Sequence, residues 1–158
     1  KTAELCKAFG CKVIAYSRSE VKHPAIDRQV TLEELLKEAD IVSLHCPLTA
    51  ETRGMIGEEQ LQLMKKTAVL INTARGPVAD TEALAKALGE GRIAGAACDV
   101  FETEPPLDTE HPLLHTPNTI VTPHITFASE ESMEQRAEIV FENLYAWLEG
   151  KQLNAVKM

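Results

Sequence analysis

The sequence predicts an α/β fold built on a doubly wound parallel sheet. Three observations carry that expectation. Short β-rich runs alternate with helical stretches along the whole chain, which is the pattern of right-handed βαβ crossovers. The run Thr67–Ile71 is almost continuously apolar, as expected of a strand covered on both faces. The 158 residues are 44% hydrophobic and 25% charged, which suits one globular domain with a buried core rather than a disordered chain.

The elements follow in order. Thr2 to Phe9 reads as the end of a helix stopped by Gly10. Cys11 to Tyr16 reads as a strand. Thr31 is a hydroxyl N-cap with Glu34 three residues on, a capping box, and Leu32, Leu35, Leu36 and Ala39 give that helix an apolar face. Ile41–His45 is a second strand, closed by Cys46-Pro47. A short helix over Glu58–Met64 leads to the strand Thr67–Ile71. Thr81–Leu88 is a helix ended by Gly89 and Gly91. Ala94–Cys98 and Asn118–Thr122 are the last strands. Ser129 caps a long final helix, on which Met133, Ala137, Val140, Leu144 and Trp147 draw one apolar stripe.

Composition excludes several roles. The formal charge of −8 argues against a nucleic-acid surface, which needs clustered Lys and Arg. No apolar run approaches the roughly 20 residues of a membrane helix. No basic-then-apolar leader opens the chain, so a cytoplasmic protein is expected. Cys6, Cys11, Cys46 and Cys98 form no CxxC pair. They read as small buried hydrophobes in a reduced compartment, and no metal site is expected.

In a doubly wound sheet the chemistry lies beyond the carboxyl ends of the strands. Those segments are Ser17–Ser19, Cys46–Thr49, Asn72–Gly76, Asp99–Glu104 and Pro123–Ala128. Arg75 follows an apolar strand directly. Its planar fork matches a carboxylate or 2-keto acid in two places, although an arginine beside a turn has the same local signature. Asp99, Glu102 and Glu104 follow another strand, and Glu104 stands immediately before Pro105 and Pro106. The stretch reads either as an acidic loop or as one carrying a fixed acid, Glu104 being held more tightly than Glu102. His124 ends a third strand behind Pro123. A carboxylate beside an imidazole favours the charged ring and makes a general acid near neutral pH. Arg75 with a His124–Glu104 pair therefore suits reduction of a 2-keto acid. His23, His111 and His115 read as solvated loop histidines, and His45 as structural or lining a crevice.

These segments resemble the nucleotide-binding domain of the D-isomer-specific 2-hydroxyacid dehydrogenases. The matching motifs are HCPLTAET at 45–52, INTARG at 71–76, GAACDVFETEPP at 95–106 and TPHI at 122–125. The resemblance implies a Rossmann-type sheet. It further implies Arg75 as substrate clamp, His124 as proton donor and Glu104 as its partner, with Asp99 holding the nicotinamide carboxamide. Cys46, Pro47, Thr52, Thr73, Ala74 and Thr126 would line the cofactor. Glu at position 104 disfavours formate, whose dehydrogenases carry Gln there.

Two departures stand out. Where the family commonly has an Asp for the ribose hydroxyls, this chain has Ser17-Arg18-Ser19, which points to NADP over NAD. Arg18 stacked on adenine, with NAD bound, is the other reading. Thr126-Phe127-Ala128 also replaces the small pair many relatives carry after the histidine.

No G-x-G-x-x-G occurs in the chain. The expectation is an incomplete sheet, lacking the first strand, the phosphate loop and a preceding substrate domain. Its strands would fall into two groups with exposed edges, and the final helix would have an unsatisfied face. Such a chain is expected to bind cofactor weakly and turn over little, and to form a homodimer through this domain. The alternative to a dehydrogenase is a nucleotide-sensing interaction module like the family's corepressors.

Overall fold

The computed structural model describes residues 1–103 and 106–156. They form two compact units, Lys1–His124 and Ile125–Met158. The first runs α1 (Thr2–Ala8), β1 (Ile14–Ala15), β2 (Arg28–Gln29), α2 (Leu32–Glu38), β3 (Ile41–Leu44), α3 (Glu58–Leu63), β4 (Val69–Asn72), a 3₁₀ turn (Gly76–Val78), α4 (Thr81–Gly89), β5 (Gly95–Cys98), α5 (Pro112–His115) and β6 (Thr119–Val121). The second carries α6 (Glu130–Leu148).

All strand pairs are parallel and fall into two sheets, β1-β2 and β3-β4-β5-β6. The division into two groups follows the expectation. In the larger sheet each crossover adds the next strand on the same side. Because the crossover hand is fixed, the connecting helices come to share one face. Accordingly α2, α3, α4 and α5 are successive neighbours. Leu36, Leu61, Met64, Leu70, Leu84 and Ile93 fill the space beneath them, none more than 2% exposed. Burying each such side chain stabilises the fold by about 1.5–3 kcal/mol. Residues of β4 alternate half-buried and buried, so neither face of that strand is fully open, whereas the outer strands β3 and β6 each carry an exposed apolar residue. Ile41 on β3 is 62% exposed, and Ile120 on β6 is 69% exposed.

The local signals act as their chemistry requires. The Thr31 hydroxyl accepts from the Glu34 amide at 3.2 Å, and Glu34 Oε2 accepts from the Thr31 amide at 2.9 Å. Asp80 caps α4 and Ser129 caps α6. The predicted strand over 11–16 shrinks to Ile14–Ala15, because its partner β2 is only two residues long. That partner is the exposed polar pair Arg28-Gln29, which has no strand signature in sequence. The short α5 also went unpredicted; Pro112 at its first position pre-sets the backbone angle. Cys98 is buried and Cys6 and Cys46 partly so, but Cys11, just past the Gly10 turn, is exposed and is no core residue.

Within the second unit α6 leaves its apolar stripe open, as expected. Val140 is 62% exposed, and Trp147 is 69% exposed. Among the described residues no helix is long and apolar enough to cross a membrane.

Candidate active site

Strand register aligns the segments that matter. Leu44 pairs with Asn72, Asn72 with Cys98, and Cys98 with Val121. The chain therefore leaves all four strands at one edge, at His45, Thr73, Asp99 and Thr122. Past the strand ends the ladder continues: the Asp99 amide donates to the Asn72 carbonyl, and the Thr122 amide to the Cys98 carbonyl, both at 3.0 Å.

The turn carrying Arg75 is built by Asn72, which is 2% exposed. Its Nδ2 donates to the Arg75 carbonyl at 3.0 Å, and its Oδ1 accepts from the Ala74 amide at 3.1 Å. The side chain thus supplies the bonds a strand partner would otherwise make. Thr73 and Ala74 are held half-buried in this turn, and the Arg75 side chain stands exposed. Gly76 then passes so close to the next loop that a Cβ there would lie 2.0 Å from the Phe101 carbonyl carbon. Only glycine permits that approach. The 3₁₀ turn is tied in its turn to the loop after β3: the Gly54 amide donates to Pro77 O at 2.8 Å, and the Ile56 amide to Val78 O at 3.1 Å.

Asp99 is 2% exposed, and its Oδ1 accepts from the Thr122 hydroxyl at 2.5 Å. A buried acid is tolerable when hydrogen-bonded in this way. Two residues past Val100, Glu102 accepts from the Thr81 hydroxyl at the start of α4 and faces His111 Nε2 at 3.3 Å. Partial burial acts to raise the Glu102 pKa, but bonds from Thr81, its own backbone N–H and His111 outweigh it and hold the carboxyl below its ordinary range. The His111 side chain is 10% exposed. Its ring meets Phe101 edge-on at 5.2 Å, and its Nδ1 accepts from the Leu113 amide. His111 is therefore an anchor of the acidic loop, which corrects the solvated-loop expectation. Glu104 lies outside the described residues. Beside the anchor an apolar hollow of about 180 Å³ is lined by Phe101, Leu107, Leu114, Val121, Thr122 and Pro123.

His124 is half-buried, with φ of 56°. Left-handed backbone at a non-glycine residue costs on the order of 1–3 kcal/mol and persists where the surroundings impose it. Its amide donates to Thr122 O at 3.0 Å across Pro123. Thr126 is exposed and belongs to the second unit. His23, His45 and His115 are exposed; His45 Nε2 meets the Ser43 hydroxyl at 2.9 Å.

The loop after β1 is braced by a residue the sequence did not flag. Gln29 Nε2 donates to the carbonyls of Ser17 at 3.1 Å and Ser19 at 2.9 Å, while its Oε1 accepts from the Val21 amide at 2.8 Å. Arg18, on this loop, reaches Glu51 Oε2 at 3.2 Å. The same oxygen accepts from the Thr49 hydroxyl at 2.8 Å. That bond, the residue's own backbone N–H and the Arg18 charge hold the Glu51 carboxyl below its ordinary pKa. Thr52 is 7% exposed. Its hydroxyl donates to Pro47 O and accepts from the Thr49 amide, both at 2.7 Å, so it shapes the Cys46–Thr52 loop from within. A protein carboxylate already lies on Arg18 and a hydroxyl, so this donor set suits an anionic group.

A parallel sheet with its polar residues gathered at one carboxyl edge places a ligand site there, as in the open α/β folds that bind nucleotides. The comparison with known families narrows it. The model for the NAD-binding domain of D-isomer-specific 2-hydroxyacid dehydrogenases matches residues 1–126, and the chain belongs to that family. It is 49% identical over 156 residues to the glyoxylate reductase of Aeropyrum pernix, covering 96% of this chain and 46% of that protein. The chain thus spans about half the length of this curated relative. Among solved structures it resembles the NAD-complexed D-isomer-specific 2-hydroxyacid dehydrogenase of Lactobacillus delbrueckii ssp. bulgaricus, with TM-score 0.84 and 37% identity over 99% of this chain and 51% of that one. It also resembles an acyclic imino acid reductase in complex with NADPH and D-Arg, with TM-score 0.87 and 36% identity over 98% of this chain and 49% of that one.

Proposed function

We propose that this chain is the dinucleotide-binding part of an oxidoreductase that interconverts a small 2-keto acid and a D-2-hydroxy acid. The single observation that carries this reading is the parallel register, which sends the Arg75, Asp99 and His124 segments out of one sheet edge in a chain of this family. Nicotinamide, when bound, supplies the hydride chemistry. Arg75 grips the substrate carboxylate through its paired donors. His124 gives a proton to the developing alkoxide, with Glu104 assigned as its acidic partner. Asp99, kept in place by Thr122, accepts from the carboxamide. Cys46, Pro47, Thr73 and Ala74 would line the bound dinucleotide.

The cofactor reading is a 2′-phosphorylated nicotinamide dinucleotide, gripped by Ser17, Arg18 and Ser19. Similar structures hold NAD in one case and NADPH in the other, so this reading rests on the sequence Ser17-Arg18-Ser19. A homodimer is part of the same proposal, as is a cytoplasmic setting.

The test is reduction of glyoxylate and hydroxypyruvate with NADPH and NADH by the protein carrying this domain. His124→Gln should lower kcat by about 10²–10⁴-fold, the range of a general acid, while Arg75→Gln should act mainly on KM. Full turnover by His124→Gln would overturn the assignment. Cofactor binding with no turnover of any 2-keto acid by the parent protein would favour a nucleotide-sensing module instead.

A further inference from the structure

We propose that Glu51 is a specificity-determining residue for the cofactor: its carboxylate, against Arg18 Nη1, is an internal counter-anion that competes with a 2′-phosphate for the guanidinium. The inference rests on the cofactor reading above and goes beyond it, because it makes the choice between the two dinucleotides depend on a residue from a different loop.

The loop after β1 carries two cations, Arg18 and Lys22, and both already face acids. Lys22 Nζ lies 3.2 Å from Glu20, and Arg18 Nη1 lies 3.2 Å from Glu51. Ser17-Arg18-Ser19 contains no acid of its own, yet the fold delivers one from 33 positions away. Glu51 is also held in place. The Thr49 hydroxyl donates to the oxygen that meets Arg18, and the Thr49 backbone amide is bound to Thr52, itself anchored on Pro47. The opposing loop is held by the three bonds to Gln29. Two braced backbones thus present one cation and one anion to each other.

The chemistry of the pair gives the sign. A carboxylate shared between a guanidinium and a hydroxyl mimics a phosphate in the same place. An incoming 2′-phosphate must share the Arg18 guanidinium with Glu51, whose carboxylate then lies beside it as a like charge. A ribose with free hydroxyls asks for no such exchange and can use Glu51 as an acceptor. Glu51 therefore weakens 2′-phosphorylated nucleotides and leaves unphosphorylated ones unharmed. Both side chains are about two-thirds exposed, 66% for Arg18 and 69% for Glu51. The effect is accordingly modest, because exposed pairs are screened by solvent and salt.

The test uses the full chain, 2′,5′-ADP and 5′-AMP as probes, and backbone amide shifts as the readout. Glu51→Gln keeps an oxygen for the Thr49 hydroxyl and removes only the charge. It should tighten 2′,5′-ADP by about 3–5-fold at low salt, the scale of an exposed pair, and leave 5′-AMP unchanged or slightly weaker. The gain should vanish in the double variant Arg18→Gln, Glu51→Gln. Unchanged or weaker 2′,5′-ADP binding by Glu51→Gln, with 5′-AMP still shifting the amides of residues 17–19, overturns this inference alone. If neither nucleotide shifts residues 17–19 or 46–52 in the unmodified chain, the cofactor reading falls and this one with it.

Discussion

The edge of the four-stranded sheet and the loop after β1 hold their polar residues in opposite ways. At the sheet edge Asn72 and Asp99 are each 2% exposed, and each bonds a group on a neighbouring segment or turn. At the loop after β1 the charged partners are mostly solvent-exposed, and only the backbone is braced. Buried, fully bonded groups cannot shift without leaving a polar atom unsatisfied. Exposed ion pairs part at little cost. The difference teaches a division of labour: geometry that chemistry needs is locked by burial, while discrimination between similar ligands rests on charges free to rearrange.

The contrast is most easily broken at Gly76. A methyl there would sit inside the Phe101 backbone, so Gly76→Ala should destabilise the fold by about 3 kcal/mol or more or force the two loops apart. Urea unfolding measures it; a loss below about 1 kcal/mol would show that the approach is not rigid. Next is Asn72→Ala, which strips partners from the Arg75 carbonyl and the Ala74 amide. It should cost about 1–3 kcal/mol and raise KM through the loosened Arg75 turn.

The Glu102–His111 anchor sharpens the comparison through pH. The folded-state pKa of Glu102 is lowered. Its contribution is therefore fully present above the unfolded carboxylate value near 4.3 and is lost as pH falls through the lower folded value. Because the Glu102 side chain is still 41% exposed, that contribution is discounted to under about 1 kcal/mol. The stability difference between the unmodified chain and Glu102→Gln should shrink between pH 7 and pH 3. A constant difference would mean that the carboxylate charge plays no part.

Thiol chemistry reports the same contrast without mutation. Burial first, and the Glu102 charge second, push the Cys98 thiol up to about 11, whereas Cys11 is exposed. Iodoacetamide at pH 8 should label Cys11 well before Cys98, because only thiolate reacts; equal rates would contradict a closed sheet edge. The smallest effect belongs to Glu51→Gln, whose stability change should stay within about 0.5 kcal/mol even as nucleotide preference moves.

Much of this molecule was legible in its sequence. Periodicity and capping chemistry located α2, α4 and α6 because the relevant contacts lie within four residues along the chain. The apolar run before Asn72 and the small-residue run Ala94–Cys98 announced parallel strands, and strand ends pointed to Arg75, Glu104 and His124 as the candidate chemistry. The two-residue β2 escaped because its pairing depends on a partner 14 positions away rather than on its own side chains. His111 was misread for the same reason: nothing local shows that Phe101 and Glu102 will close over it.

Sequence by itself determined the order of the longer elements, the family and the set of polar residues placed where strands end. Only the tertiary structure decided which of those residues are immobilised, which loop supplies an anion to Arg18, and that Gly76 must remain without a side chain. The physical reason is range. Propensity, capping and alternation act between near neighbours, whereas burial, close backbone approach and charge pairing join positions that only folding brings together.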